Sequence, residues 1–155
     1  MGQWLVGIGG SLGAVLLMAL VAWGTGGTLS GAGRTLKAAR PELNIVAAEP
    51  EQAALLSGDS WSPHKIQGWT PDFIPEILDQ QMPDQIIKVD DDESMDCALR
   101  LGREEGIFVG ISAGGTLSAS LKIAETAEPG SVILTMLADT AERYLSTPLF
   151  ASINE

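Results

Sequence analysis

Residues 15–28 read VLLMALVAWGTGGT, an apolar run that closes on Trp23 and passes into the turn Gly24-Thr25-Gly26-Gly27-Thr28. Every position of the run is apolar, not every second one. That is the pattern of a strand covered on both faces, as in a parallel sheet. Thr28 to Arg40 then reads as a helix, ended by Pro41. Strand, glycine turn and helix in that order predict the first part of a βαβ unit. The turn also has a chemical reading. Glycines let the backbone approach a ligand closely and aim successive N–H groups at it. The helix dipole adds about half a positive charge at the same place, so a phosphate is the natural guest. The hydroxyls of Thr25 and Thr28 can complete the oxyanion shell. No Gly-Lys-Ser/Thr follows, which excludes a Walker A loop, and the spacing is not GxGxxG. Without a ligand, the same residues read as a tight strand-to-helix turn.

Downstream the chain alternates. Asn44–Ala48 is a short apolar strand, and residues 49–70 are loop-rich, with Pro50, Gly58, Pro63 and Gly68. Phe73–Leu78 reads as a short helix, Gln85–Val89 as a strand and Glu93–Glu105 as an amphipathic helix. Phe108–Ile111 is a short extended piece, Ala113–Glu125 a helix rich in small residues and Ser131–Leu137 a buried strand. The expectation is an α/β fold, a three-layer domain around a mainly parallel sheet.

Upstream, no charged residue precedes Arg34. Trp4 to Trp23 is apolar and has a Trp at each end, as in a membrane span with interfacial anchors. No Lys or Arg flanks it to set an orientation, and Gly7, Gly9, Gly10 and Gly13 weaken a helix. A buried strand over Val15–Ala22 is the expected reading, with membrane anchoring by residues 4–23 as the alternative. Residues 1–18 are therefore set apart as an uncharged apolar segment, and 19–155 as the α/β domain.

The 155 residues carry 9 Lys plus Arg against 20 Asp plus Glu, a net charge of −11. Phosphate neutralisation needs clustered cations, so a nucleic-acid partner is excluded, and docking on anionic lipid is disfavoured. One cysteine, Cys97, rules out an intramolecular disulfide and a multi-cysteine zinc site. Cys97 reads as an inert thiol inside a helix. Asp90-Asp91-Asp92-Glu93 reads as a cap on that helix, where acids favour the positive dipole end, and not as a metal site.

Three further stretches are candidates for chemistry. Gly110-Ile111-Ser112-Ala113-Gly114-Gly115 runs from a short strand into a helix, with Ser112 at the carboxyl end of the strand, where open α/β sheets bind ligands. Taken alone, Ser112 also reads as an N-cap worth about 1 kcal/mol. Pro63-His64-Lys65-Ile66-Gln67-Gly68 holds the only histidine, read as structural for want of a nearby nucleophile or carboxylate. Asp139, or Thr140, follows the last strand and so could reach a ligand.

GTGGTLSGAGRTLKAARP, IVAAEP, PHKIQG, FIPEIL, REEGIFVGISAGG and DTAERYLSTPLF occur here in that order. The series resembles the C-terminal half of cysteine synthase (O-acetylserine sulfhydrylase), a fold-type II pyridoxal-phosphate enzyme of the tryptophan synthase β-like class, over residues 19–150. The resemblance implies pyridoxal 5'-phosphate as cofactor. It implies that Gly24, Thr25, Gly26, Gly27 and Thr28 cradle its phosphate and that Ser112 hydrogen-bonds its pyridine nitrogen. Gln67 and Gly68 match a segment bordering the substrate cleft. The implied reaction is β-replacement, O-acetylserine plus sulfide giving cysteine plus acetate.

Two departures accompany it. Where the family often reads IQGIGAGFIP, this chain has Ile66-Gln67-Gly68-Trp69-Thr70-Pro71-Asp72-Phe73-Ile74-Pro75, so Trp69 and Asp72 alter the cleft wall and with it the substrate expected. The Schiff-base lysine of the family lies in a Ser-x-Lys-Asp/Asn-Arg motif, and the only lysines here are Lys37, Lys65, Lys88 and Lys122, none in that context. The Thr/Ser-Ser-Gly-Asn loop that grips the substrate carboxylate is absent too. The expectation is a cytoplasmic or organellar C-terminal portion, inactive alone, with an amino-acid substrate and a homodimer or a complementing N-terminal half as partner. The alternatives are a non-catalytic phosphate-binding or regulatory partner of a full-length synthase, and a relative of cystathionine β-synthase or the serine/threonine dehydratases.

Overall fold

The computed structural model describes residues 17–153. Its centre is a sheet of four parallel strands in the order β3-β2-β1-β4: β1 Leu17–Ala22, β2 Asn44–Pro50, β3 Gln85–Val89 and β4 Val132–Thr135. Helices α1 (Gly27–Ala39), α2 (Asp91–Glu105) and α3 (Ile111–Ala124) connect them, and short 3-10 turns occupy Glu51–Ala53, Ala141–Tyr144 and Pro148–Ile153. The first of the strands expected from the sequence stands at Leu17–Ala22, paired to β2 on one side and β4 on the other. The earlier part of the apolar stretch, Trp4 included, lies outside the described residues. Among those described, no helix is long and apolar enough to cross a membrane.

The sheet sorts side chains by parity. Ile45 and Ala47 of β2, with Ala19 and Val21 of β1, face α1 and pack with Trp23, Leu29 and Leu78. Val46 and Ala48 face the other way, onto Ala98 of α2 and Ala113, Ala119 and Ile123 of α3. Three layers result, with α1 on one face and α2 and α3 on the other. Burying a residue such as Ile45 or Val46 contributes about 1.5–3 kcal/mol. Small residues allow the close approach of α2 and α3: a Cβ at Gly114 would strike the Ser94 carbonyl and come within 2.8 Å of the Ala98 amide. Glu49, wholly buried near the end of β2, accepts hydrogen bonds from the Leu56 and Ser57 amides and the Ser57 hydroxyl, which ties down the following loop.

Three local expectations differ from the fold. Phe73–Leu78 forms turns and no helix: Pro75 has no N–H to donate, and a single Leu78-to-Pro75 turn bond of 3.0 Å is made. Ser131–Leu137 yields β4, which among the described residues is an edge strand and not a buried one; Val132 and Leu134 are 45% and 54% exposed, while Ile133 packs against the α2–α3 side of the core. An apolar run reads the same on an edge as in the middle, because strand order is not a local property. The N-cap of α3 is Gly110 and not Ser112, which lies in its first turn.

Candidate functional site

β1 is the switch point of the sheet. The chain leaves its carboxyl end through Gly24–Gly26 toward α1 and β2, whereas β4 lies on its opposite side. Open α/β sheets bind ligands in the crevice at such a point, beyond the strand ends. The glycine turn stands there. Gly26, at φ +85°, is in the left-handed region, and the place a Cβ would occupy is 2.6 Å from Leu78 Cβ. At Gly24 a Cβ would strike the carbonyl oxygen of Gly68. The Thr70 amide donates to the Trp23 carbonyl at 3.0 Å. Residues 66–70 are thus laid directly along the exit of β1. Gly24 and Gly68, 44 positions apart, bring the stretches Gly24–Thr28 and Gln67–Gly68 together as one wall.

α1 begins at this wall without a side-chain cap and with no acid in its first turn. The other two α-helices are answered by carboxylates: Asp90 accepts from the Asp92 and Glu93 amides at the head of α2, and Asp139 accepts from the Ser112 and Ala113 amides of α3 at 3.0 and 2.8 Å. The exposed hydroxyls of Thr25 and Thr28 flank the uncapped end. Below it the Thr70 hydroxyl is buried with no hydrogen-bond partner among the described residues. Free amides, a positive dipole end, hydroxyls and no acid in the first turn of the helix fit a phosphate.

Ser112 joins the same wall through Trp69. The Trp69 indole N–H donates to the Ser112 hydroxyl, and both side chains are buried. The indole passes over α3 where Gly115 leaves room, since a Cβ there would meet Trp69 Cη2 at 2.8 Å. Gly24–Thr28, Gln67–Gly68 and Ser112 are therefore brought together. Gln67 itself is exposed and borders a small cavity with Lys65, Tyr144 and Thr147. A larger concavity lies elsewhere, between α2, α3 and β4 among Cys97, Leu101, Leu121 and Ile133, and includes none of these residues.

Two features were only partly visible in the sequence. Asp139 follows β4, as expected of a ligand contact, but its carboxylate is committed to the head of α3. Burial and the neighbouring Asp139 carboxylate push the Tyr144 hydroxyl up to about 12, so it stays protonated beside the site. Trp69 was legible as a departure in the cleft wall, but its bond to Ser112 was not.

None of the four lysines is presented as a nucleophile. Lys37 pairs with Asp84, Lys65 with Asp92, Lys88 with Asp59 and Lys122 with Glu93, at 2.5 to 2.9 Å. The hydrogen bonds of Asp92 and Asp59 raise Lys65 and Lys88 above the ordinary lysine range, which favours the ammonium over the amine. His64 sits against Trp61, with Nε2 3.4 Å from the Thr70 carbonyl, a structural placement. Cys97 is buried, and that burial raises its thiol. No group of three or more potential metal ligands is found among the described residues.

The chain is similar over most of its length to several known proteins. O-ureido-L-serine synthase of Streptomyces lavendulae is 51% identical over 133 residues, covering 86% of this chain and 41% of that protein. Cysteine synthase of Staphylococcus aureus is 46% identical over 128 residues, covering 83% of this chain and 41% of that protein. A crystal structure of O-ureido-L-serine synthase superposes with a TM-score of 0.87 at 49% identity, over 90% of this chain and 44% of that one. The chain thus spans about two fifths of the length of the curated relatives it matches. The pattern of the pyridoxal-phosphate dependent enzymes matches residues 11–139, taking in the glycine turn, the Gln67–Gly68 wall and Ser112 alike. This chain therefore belongs to the pyridoxal-phosphate dependent enzyme family.

Proposed function

We propose that these residues form the phosphate-binding and ring-nitrogen side of a site for β-replacement on a β-substituted L-serine, of the cysteine synthase or O-ureido-L-serine synthase kind. The observation that carries this reading is the meeting of Gly24–Thr28, Gly68 and Ser112 at the switch point of the sheet. The amides of the α1 head and the hydroxyls of Thr25 and Thr28 would hold the cofactor phosphate, as helix N-termini hold anions. Ser112 would contact the ring nitrogen as a neutral hydroxyl, and Gln67 and Gly68 would border the amino-acid substrate. Pyridoxal phosphate, when bound, supplies an electron sink for the substrate's α-carbon. A serine at the ring nitrogen tempers that sink, which suits replacement of a β-substituent.

The reading includes a second polypeptide segment. With none of the four lysines in the family's Ser-x-Lys-Asp/Asn-Arg context, the amine that would hold the cofactor and move the α-proton comes from a complementing half or partner subunit. Equilibrium dialysis of the pure chain against pyridoxal phosphate, followed by addition of O-acetylserine and sulfide, tests both parts. The expected result is retained cofactor and no cysteine above background. Cysteine formation by the chain alone would overturn the assignment of the lysine. Failure to retain the cofactor would overturn the site. The lack of a lysine in the family's motif favours, as a second reading, a non-catalytic cofactor-binding partner of a complete synthase; a changed synthase rate on mixing distinguishes it.

A further inference from the structure

We infer that Trp69 is a positioning residue for Ser112: its indole N–H occupies one acceptor position of the hydroxyl, leaving the hydroxyl's own proton to be presented to the ring nitrogen of the cofactor. The inference rests on the cofactor reading above.

An indole N–H can only donate, whereas a serine hydroxyl has one proton and two lone pairs. Among the described residues, the Trp69 bond is the hydrogen bond of the Ser112 hydroxyl, and Asp139 is engaged by the backbone amides of Ser112 and Ala113 instead. The hydroxyl rotor therefore cannot aim its proton at Trp69. It is left to donate elsewhere, and the partner complementary to a donor is an unprotonated pyridine nitrogen. The indole is itself held from several sides. Its backbone lies between Gly68 at φ +85° and Thr70 at φ +27°, the latter an unusual conformation for a β-branched residue. The Thr70 amide is tied to the Trp23 carbonyl, and the Thr70 carbonyl accepts from the Trp61 indole at 3.0 Å. Gly115 provides the space in which the ring lies. A strained, multiply anchored backbone that delivers one N–H to one hydroxyl is a device for orientation. An aliphatic residue at position 69 could fill the same space but could not select a hydroxyl rotamer.

The test uses pyridoxal phosphate labelled with 15N in the ring, dialysed against the whole chain, with the affinity and the 15N shift of the bound ring as readouts. Trp69→Phe keeps most of the ring and removes the N–H. It is expected to weaken binding about fivefold, the size of one net hydrogen bond, and to move the ring nitrogen toward its free shift. Ser112→Ala is expected to do the same, and Trp69→Phe to add nothing in the Ser112→Ala background. Equal affinity and an unchanged shift in Trp69→Phe, or tighter binding, would overturn the role of Trp69 and leave the cofactor site standing. Absence of binding by the unaltered chain would overturn both. If far-UV dichroism shows Trp69→Phe unfolded, the Trp69 indole proton decides. It must be protected from exchange in the unaltered chain and lose that protection in Ser112→Ala, and equal exchange in the two refutes the proposal.

Discussion

Three glycines in the wall can be replaced by alanine to separate backbone strain from steric collision, because two carry one cost each and the third carries both. Gly68 has φ +85° and open space around it, with nothing within 4 Å of a new Cβ. Gly68→Ala therefore carries only the left-handed penalty of about 1–2 kcal/mol. Gly24 has no such φ, but its Cβ would meet the Gly68 carbonyl oxygen, a backbone atom that no rotamer change can move. Gly24→Ala carries overpacking alone, about 1–3 kcal/mol. Gly26 combines the two: φ +85°, with Leu78 Cβ at 2.6 Å and Leu78 Cα at 2.9 Å. Those atoms are the root of the side chain and not its flexible tip, so Gly26→Ala should cost about 2–5 kcal/mol. All three substitutions stiffen the unfolded chain and recover about 0.4–1 kcal/mol, which leaves their order unchanged. Urea unfolding followed by far-UV dichroism gives the three values. The expected order is Gly68→Ala least and Gly26→Ala most, with pyridoxal phosphate affinity lost most severely in Gly26→Ala. A Gly26→Ala cost no larger than that of Gly68→Ala would refute the packing of Leu78 on the loop. A costless Gly68→Ala would refute the left-handed conformation at the wall.

Tyr144 is the only tyrosine, so tyrosinate absorbance reads it directly. Its midpoint should lie near 12, and Asp139→Asn should bring it back toward 10. Because the folded state keeps this proton longer than the unfolded one, stability falls as pH rises from 10 through 12; alkaline unfolding should be delayed in Tyr144→Phe. At Asp84, burial favours the neutral acid, but the Lys37 ammonium and the Ile45 amide outweigh it and hold the carboxyl below 3.8. A lowered value means stability that exists above the ordinary carboxylate range and fades as pH falls through the folded value. Asp84→Asn should therefore lower the melting temperature at pH 7 and leave it unchanged in strong acid. Cys97, raised first by burial and then by Asp96, should react slowly with a disulfide reagent in the native chain and at once in denaturant; fast native reaction would contradict its burial.

Much of the framework was readable because its signals are local. The all-apolar stretch to Trp23 marks a strand covered on both faces. The glycine turn marks its exit. Asp90 caps the helix that follows within four residues, as its position before Asp91–Glu105 requires. Gln85–Val89 stands where the alternation put it. The misreadings share a cause. The short helix at Phe73–Leu78 fails because Pro75 interrupts a segment held by Leu78 packing on Gly26, a contact with residues fifty positions away. The strand at Val132–Thr135 is exposed because of its place at the sheet edge, which its own residues do not encode.

By itself, then, the sequence determined the class of fold and the glycine turn at the exit of its first strand, since each rests on residue type and short spacing. Only the tertiary structure decided that Gly68 closes on Gly24, that Trp69 reaches Ser112 across 43 positions and that Asp139 caps a helix begun 28 positions earlier. These contacts are made where the carboxyl ends of β1 and β4 lie side by side. That adjacency is a consequence of strand order, and strand order is settled by the burial of the whole sheet between its helices.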